Sequence, residues 1–146
     1  MNPGIANYCD SFKIGNINDP VVVENYATEV SAEIAIIGPE NPLAEGIVDM
    51  FHSEGLRVFG PDAYGAQLES SKIFARDLMA ENGILHPDYY SCNTKTEAAS
   101  LKEILELPLV LKADGLAAGK GVIVCHTEAE FESGLKTMFD DNCLLY

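Results

Sequence analysis

The residues best suited to chemistry lie in one glycine-rich segment. Residues 112–122 read KADGLAAGKGV, and short apolar runs rich in β-branched residues flank them on both sides. Such a loop offers backbone N–H groups that can turn toward an anion, and Lys112 and Lys120 add positive charge. The alternative is a mobile hairpin loop without a ligand, although an ordinary hairpin uses a tighter turn. We therefore predict that this loop binds a phosphate group.

The surroundings of the loop indicate which kind of phosphate site it is. A Walker A loop has the pattern G-x-x-x-x-G-K-[ST] and leads from a strand into a helix. Here Gly115 and Gly119 have only three residues between them, Gly121 stands in the Ser/Thr position, and residues 122–124 continue as a strand. A dinucleotide-binding turn also requires a following helix. The pattern therefore predicts an ATP site of another kind, in which two strands carry a flexible glycine loop.

A second candidate site is Gly38-Pro39-Glu40, where an apolar strand meets the start of a helix. Ligands of open α/β folds bind at the carboxyl ends of the strands, and Glu40 could accept hydrogen bonds from sugar hydroxyls. The alternative is an ordinary turn in which Glu40 complements the helix dipole. Gly60-Pro61 repeats the pattern after the next strand, and there we expect only a turn.

Lys72 is a third candidate, because it precedes the hairpin and could point toward a phosphate. It lies in the middle of a helix predicted over residues 63–81, with Arg76 one turn further on. Taken alone, Lys72 is better explained as a lysine on a solvated helix face.

The elements that must position these residues follow an α/β order. We predict strands at residues 12–17, 34–37 and 56–59, the second of them buried as in a parallel sheet. Between them lie a helix that begins at Asp19-Pro20 and a helix through residues 43–51 that Gly55 closes. After the helix at 63–81, which Asn82-Gly83 ends, capping boxes at Thr94–Glu97 and Thr127–Glu130 begin two further helices around the glycine hairpin.

This order indicates the remainder of an N-terminal doubly wound parallel α/β domain over residues 1–66 and a second domain over residues 67–146. The first residues fall on a turn without a strand before it, and the last helix has no further strand after it. We therefore expect the sequence to be an interior piece of a larger protein.

The composition limits the class of protein. The 146-residue chain has a net charge of −14 at pH 7, which argues against nucleic-acid and anionic-membrane partners. It contains no long apolar span and no signal peptide, so we expect a cytoplasmic protein. The four cysteines and three histidines are scattered, without the spacing of a zinc site or a disulfide framework.

At these residues the chain resembles the glycinamide ribonucleotide synthetase family, which is also called phosphoribosylamine–glycine ligase. The resemblance extends in order from about Pro3 to Phe139. Its most specific part is the segment from Lys112 to Val124, and the other parts are GPENPL at 38–43, FGP at 59–61 and QLESSK at 67–72. It implies that the second domain is the first part of an ATP-grasp domain.

The resemblance also implies an activity in purine biosynthesis. ATP, glycine and 5-phosphoribosylamine would give glycinamide ribonucleotide, ADP and phosphate, through an acyl phosphate of glycine. Magnesium would bridge the nucleotide phosphates, with its ligands expected beyond the C-terminal end of this chain and none within it. No catalytic residue is assigned, and the chain by itself is expected to be inactive.

By position, the resemblance assigns two groups of residues. Pro3, Gly4, Gly38, Pro39 and Glu40 match loops that face phosphoribosylamine. The nucleotide-binding group consists of Lys72, Lys112, Asp114, Gly115, Leu116, Ala117, Ala118, Gly119, Lys120, Gly121 and Val122.

Two alternatives remain open at this point. One is a noncatalytic ATP- or phosphate-binding module that shares the glycine loop. The other is a different ATP-grasp ligase, such as a carboxylase-type relative, although residues 114–118 argue against it.

Overall fold

A computed structural model describes residues 4–116 and 121–141 of the chain. The chain forms two compact units, Met1–Ser70 and Ser71–Tyr146. Within the described ranges, none of the helices combines the length and the apolar character needed to cross a membrane.

The first unit alternates helices with two short strands. A 3-10 turn at Ile5–Asn7 precedes helix α1 (Pro20–Glu29), strand β1 (Ala35–Ile36), helices α2 (Glu40–Ala44) and α3 (Ile47–Ser53), strand β2 (Val58–Phe59) and helix α4 (Ala63–Ser70). The two strands pair in parallel, with Ala35 opposite Val58 and Ile36 opposite Phe59. The α/β class and the parallel sheet predicted from the sequence are therefore confirmed.

The core of this unit lies on one face of the sheet. Ile47, Val48 and Phe51 of α3 are fully buried, because their spacing puts them on one helical stripe. Ile36 and Phe59 lie on the opposite face and are 73% and 71% exposed. The expectation of a strand buried on both faces is thus wrong for this part of the chain, since the side chains alternate between core and surface.

The predicted strand at residues 12–17 is also wrong. This segment has no regular structure, and Phe12, Ile14 and Ile17 are all more than half exposed. Alternating apolar residues do not suffice for a strand, because its backbone groups need a partner strand. Directly after it, α1 begins as predicted, with the carboxylate of Asp19 accepting the N–H of Val21 at 3.0 Å.

The helix predicted through residues 43–51 is two helices in the structure. Gly46 lies between α2 and α3 and has a φ of 78°, a left-handed conformation that interrupts the helical path of the backbone. The predicted end at Gly55 is confirmed. Its N–H donates to the carbonyl of His52 and the N–H of Leu56 donates to that of Phe51, the two bonds of a Schellman motif.

The helix predicted over residues 63–81 is likewise interrupted. Ser71 has extended backbone angles (φ −130°, ψ 116°), so α4 ends at Ser70 and α5 (Lys72–Glu81) begins immediately after it. The predicted stop at Asn82-Gly83 is confirmed by a second Schellman pair, in which Gly83 and Ile84 donate to Ala80 and Met79.

The second unit is a hairpin covered by helices. It contains α5, α6 (Lys95–Ser100) followed by a 3-10 turn (Leu101–Glu103), strands β3 (Leu109–Lys112) and β4 (Val122–Cys125), and α7 (Glu128–Phe139). The strands are antiparallel, and both predicted capping boxes are present with both of their reciprocal bonds. Phe131 and Leu135 of α7 pack with Cys125 and Ala98 in the core of this unit.

The two Gly-Pro turns of the first unit provide a stability test. A Cβ atom at Gly60 would lie 2.9 Å from Cδ2 of Leu43 and 3.2 Å from Cγ2 of Val48, whereas one at Gly38 meets nothing within 4 Å. We expect Gly60→Ala to lower the free energy of unfolding by about 1–3 kcal/mol through overpacking. The matched Gly38→Ala should stay within about 0.5 kcal/mol of wild type. Equal urea midpoints for the two variants would contradict the close packing of Leu43 and Val48 against Gly60.

The second capping box predicts a pH dependence. The N–H of His126 donates to the Glu130 carboxylate at 2.7 Å and that of Thr127 at 3.0 Å, and chiefly the first bond lowers the pKa of Glu130. Because the folded pKa is below the unfolded one, this contribution to stability is present above the ordinary pKa of about 4.3. It is lost as the pH falls through the folded pKa.

Urea unfolding of wild type and Glu130→Gln between pH 7 and pH 3 measures this contribution. The difference in unfolding free energy should be largest at neutral pH and shrink below about pH 4. Glu106→Gln is the control, since that exposed carboxylate makes no hydrogen bond in the described part of the chain. A Glu130→Gln difference that is constant with pH would contradict the prediction.

Candidate functional site

The hairpin brings the two ends of the glycine loop together. Beyond the last strand pair, Lys112 with Val122, the N–H of Ala113 donates to the carbonyl of Gly121 at 2.8 Å and extends the ladder into the loop. The predicted strand–loop–strand arrangement is therefore present. Of the predicted loop residues, Ala117, Ala118, Gly119 and Lys120 lie outside the described residues.

One face of this hairpin is exposed. Val110, Val122 and Val124 are 48%, 45% and 52% exposed, and the exposed Lys112 lies on the same face. The other face carries Leu109, Leu111, Ile123 and Cys125 and packs toward α7. The hairpin thus presents an apolar surface with a lysine at the end nearest the glycine loop.

The predicted site includes Lys112 and Val122 but not Val110 and Val124, which lie on the same exposed face. The alternation of side chains between the two faces of a strand could have indicated this, and Val110 and Val124 pair with each other in the structure. Assigning the inward face to Leu109 and Leu111 would have put both valines beside Lys112.

The N-terminus of α5 forms the other part of the site. Its N-cap is Ser71, whose hydroxyl accepts the N–H of Phe74 at 3.1 Å. A serine in this position satisfies one of the N–H groups that a helix start leaves without an intrahelical partner. Lys72 is consequently the first residue of α5. The prediction that it lies in the middle of a helix is wrong.

Asp114 connects the glycine loop to this helix start. Its Oδ1 accepts the N–H of Lys72 at 2.6 Å and that of Ile73 at 3.2 Å. The hydroxyl of Ser71 donates to the same carboxylate, 3.1 Å from Oδ2 and 3.4 Å from Oδ1. A negative charge is favourable here because the N-terminus of a helix is the positive end of its dipole.

The side chain of Lys72 also reaches the loop. Its Nζ donates to the carbonyl of Gly115 at 2.8 Å, and the residue is half-buried. A lysine ammonium has three donors, so a bond to Gly115 leaves capacity for an anion. The structure therefore brings Lys72, Asp114 and Gly115 together at the base of the glycine loop.

The second predicted site lies in the first unit. Gly38, Pro39 and Glu40 are all exposed at the carboxyl end of β1, where α2 begins at Glu40. The space around Gly38 is open, whereas the equivalent space at Gly60 is filled by Leu43 and Val48. Of the other two predicted residues, Gly4 is exposed and Pro3 lies outside the described residues.

The described cysteines and acidic residues form no further candidate site. Residues 4–116 and 121–141 contain no cluster of three or more His, Cys, Asp or Glu able to hold a metal ion. Cys9, Cys92 and Cys125 are free, and burial raises the pKa of the Cys92 and Cys125 thiols. Both thiols are therefore protonated at neutral pH and poor nucleophiles. Cys143 lies outside the described residues.

Comparison with protein families divides the chain into two matches. Residues 1–69 match the family described as "Phosphoribosylglycinamide synthetase, N domain". Residues 70–144 match "Phosphoribosylglycinamide synthetase, ATP-grasp (A) domain".

Individual relatives carry one common name, phosphoribosylamine–glycine ligase. That of Ralstonia nicotianae is 44% identical over 128 residues, which cover 88% of this chain and 30% of the relative. That of Escherichia coli O6:H1 is 40% identical over 142 residues, which cover 97% of this chain and 32% of the relative. The chain thus spans about a third of the length of these relatives.

A solved structure is similar over nearly the whole chain. The crystal structure of phosphoribosylamine–glycine ligase from Thermotoga maritima superposes with a TM-score of 0.71 at 26% identity. The superposition covers 98% of this chain and 33% of the other chain.

The two bonds of Ser71 generate a prediction for this site. We expect Ser71→Ala to lower the free energy of unfolding by about 1–2 kcal/mol, because it removes the cap of α5 and a donor to Asp114. Ser70→Ala is the matched control, since the neighbouring Ser70 side chain makes no hydrogen bond among the described residues. Urea unfolding measures both, and indistinguishable midpoints would contradict the role given to Ser71.

Proposed function

The chain belongs to the phosphoribosylglycinamide synthetase family, and we propose that it serves the ATP-dependent ligation of glycine to 5-phosphoribosylamine. The products are glycinamide ribonucleotide, ADP and phosphate, and the reaction belongs to purine biosynthesis in the cytoplasm. The observation that carries the proposal is the convergence of Lys72 and the glycine loop, with Nζ 2.8 Å from the carbonyl of Gly115.

In this proposal, the nucleotide phosphates lie between Lys72, Lys112 and the loop. Phosphoryl transfer depends mainly on positioning and on charge stabilisation of the transferred group. A half-buried lysine ammonium at the base of the loop supplies such a charge, and Lys112 supplies another from the exposed face of the hairpin. The nucleotide-binding group consists of these two lysines together with residues 114–122.

The exposed face of the hairpin suits the nucleoside. Val110 and Val124 form a flat apolar pair next to Lys112, and such a surface favours the face of a purine ring. We therefore add these two valines to the nucleotide-binding group.

Glycine and 5-phosphoribosylamine are the other substrates in this proposal. Gly38, Pro39 and Glu40 would meet phosphoribosylamine, together with Pro3 and Gly4. The open space at Gly38 supports this, because a ligand can approach the backbone there without meeting a side chain. The carboxylate of Glu40 can accept hydrogen bonds from ribose hydroxyls.

Magnesium would bridge the phosphates in this reaction and neutralise the charge that develops on them. The described residues do not fit a protein-bound ion, because Asp114 is the carboxylate at the base of the loop and its oxygens accept N–H and O–H bonds. The described part of the chain therefore acts on the phosphates through its lysines and backbone, and no step is assigned to a metal held by it.

Calorimetric titration of the chain with magnesium-ATP tests the nucleotide site. We expect binding in the millimolar range or tighter, weakened about tenfold by Lys72→Ala and by Lys112→Ala through loss of a charge-assisted hydrogen bond. Lys136→Ala is the charge-matched control, because α7 packs against the opposite face of the hairpin. Unchanged affinity in both site variants would contradict the proposed phosphate contacts.

A chimaeric enzyme tests the reaction itself. This chain would replace the matched 142 residues of the Escherichia coli O6:H1 relative, to which it is 40% identical. We expect ATP- and glycine-dependent formation of glycinamide ribonucleotide, with kcat/KM lowered at least about tenfold by Lys72→Ala but not by Lys136→Ala. A folded chimaera that binds magnesium-ATP without forming product would favour the alternative, a noncatalytic ATP- or phosphate-binding module.

A further inference from the structure

Helix α5 carries Lys72 and lies outside the buried core of the second unit. None of its residues is buried, and none belongs to the core that joins α6, α7 and the hairpin. Its apolar residues, such as Ile73 and Leu78, are only half-buried, so polar contacts contribute to its position within the second unit. They include the bonds of Asp114 at the start of the helix, the bond from Lys72 Nζ to Gly115 and a hydrogen bond from the Tyr89 hydroxyl to Asp77 further along.

The Asp114 carboxylate occupies the place where a helix start would bind an anion. Together its oxygens accept the N–H groups of Lys72 and Ile73 and the hydroxyl of Ser71. An internal carboxylate here excludes a phosphate from the same N–H groups, because both would need the same donors and both carry negative charge.

We propose that Asp114 is a positioning residue, which fixes the start of α5 to the glycine loop so that the Lys72 ammonium is held at the base of the loop. Asp114 and Gly115 are adjacent, so the main chain and the side chain of Lys72 bond to neighbouring residues, at 2.6 Å and 2.8 Å. These two contacts restrict the conformations that the Lys72 side chain can adopt. The inference rests on the proposed phosphate contact of Lys72 and gives Asp114 no contact with the nucleotide.

A direct role would be unfavourable on charge grounds. A carboxylate that faces the phosphates without a metal ion between them would repel them and weaken ATP binding. Bound to helix N–H groups, the same carboxylate has its charge compensated by the helix dipole. Asp114 therefore acts on the nucleotide only through Lys72.

Nuclear magnetic resonance of the labelled chain tests the contact itself. In Asp114→Ala, we expect amide exchange at Lys72 and Ile73 to accelerate at least about tenfold and the Lys72 side-chain ammonium signal to lose its slow exchange with water. Asp114→Asn should recover part of both effects, because an asparagine oxygen also accepts helix N–H groups. Asp88→Asn is the control, since this exposed carboxylate makes no hydrogen bond in the described ranges.

A double-mutant cycle with magnesium-ATP separates positioning from direct contact. Asp114→Ala should weaken binding threefold to tenfold in the wild-type background and cause no further loss in a Lys72→Ala background. A ligand role, or a merely structural one, would cost affinity in both backgrounds. Additive losses, or tighter binding in Asp114→Asn, would overturn the inference.

The two measurements also separate this inference from the proposed function. If the chain does not bind magnesium-ATP but Asp114→Ala releases Lys72 in the exchange experiment, the nucleotide site fails and the positioning contact stands. If the chain binds magnesium-ATP and exchange at Lys72 and Ile73 is unchanged in Asp114→Ala, the positioning role is overturned while the function stands.

Discussion

The bond between the Asp114 carboxylate and the N-terminus of α5 is the contact on which the candidate site depends. A helix start has N–H groups without intrahelical partners, and α5 has no residue buried in the core of the second unit. The Asp114 carboxylate, just beyond the end of β3, accepts two of these N–H groups and the Ser71 hydroxyl, and it thereby attaches the helix start to the hairpin. The direction of Lys72 follows from that contact.

The two-sided character of the hairpin is the second constraint. Its strands are short, and side chains alternate, so the face with Leu109, Leu111, Ile123 and Cys125 must be covered while the other remains open. Helix α7 covers the inner face with Phe131 and Leu135. The outer face leaves Val110, Val124 and Lys112 exposed.

Local chemistry made much of the fold predictable. The Asp19 cap, both capping boxes and the ends at Gly55 and Gly83 depend on residues at most five positions apart, so the sequence pattern contains the whole interaction. The errors arise where the sequence pattern does not contain the deciding interaction. Residues 12–17 alternate without a partner strand, and the interruptions at Gly46 and Ser71 fall inside runs whose helical periodicity continues through them.

The sequence by itself determined the family, the α/β class, the helix caps and the strand–glycine loop–strand motif with its lysines, because each rests on residue types at short and fixed spacing. Only the tertiary structure decided that Lys72 begins a helix, that Asp114 accepts the first N–H groups of that helix and that the Lys72 ammonium bonds to Gly115. These residues are 42 and 43 positions apart in the chain. A hydrogen bond between groups so far apart in the sequence forms only if the fold brings them within bonding distance. No local sequence pattern encodes that spatial distance.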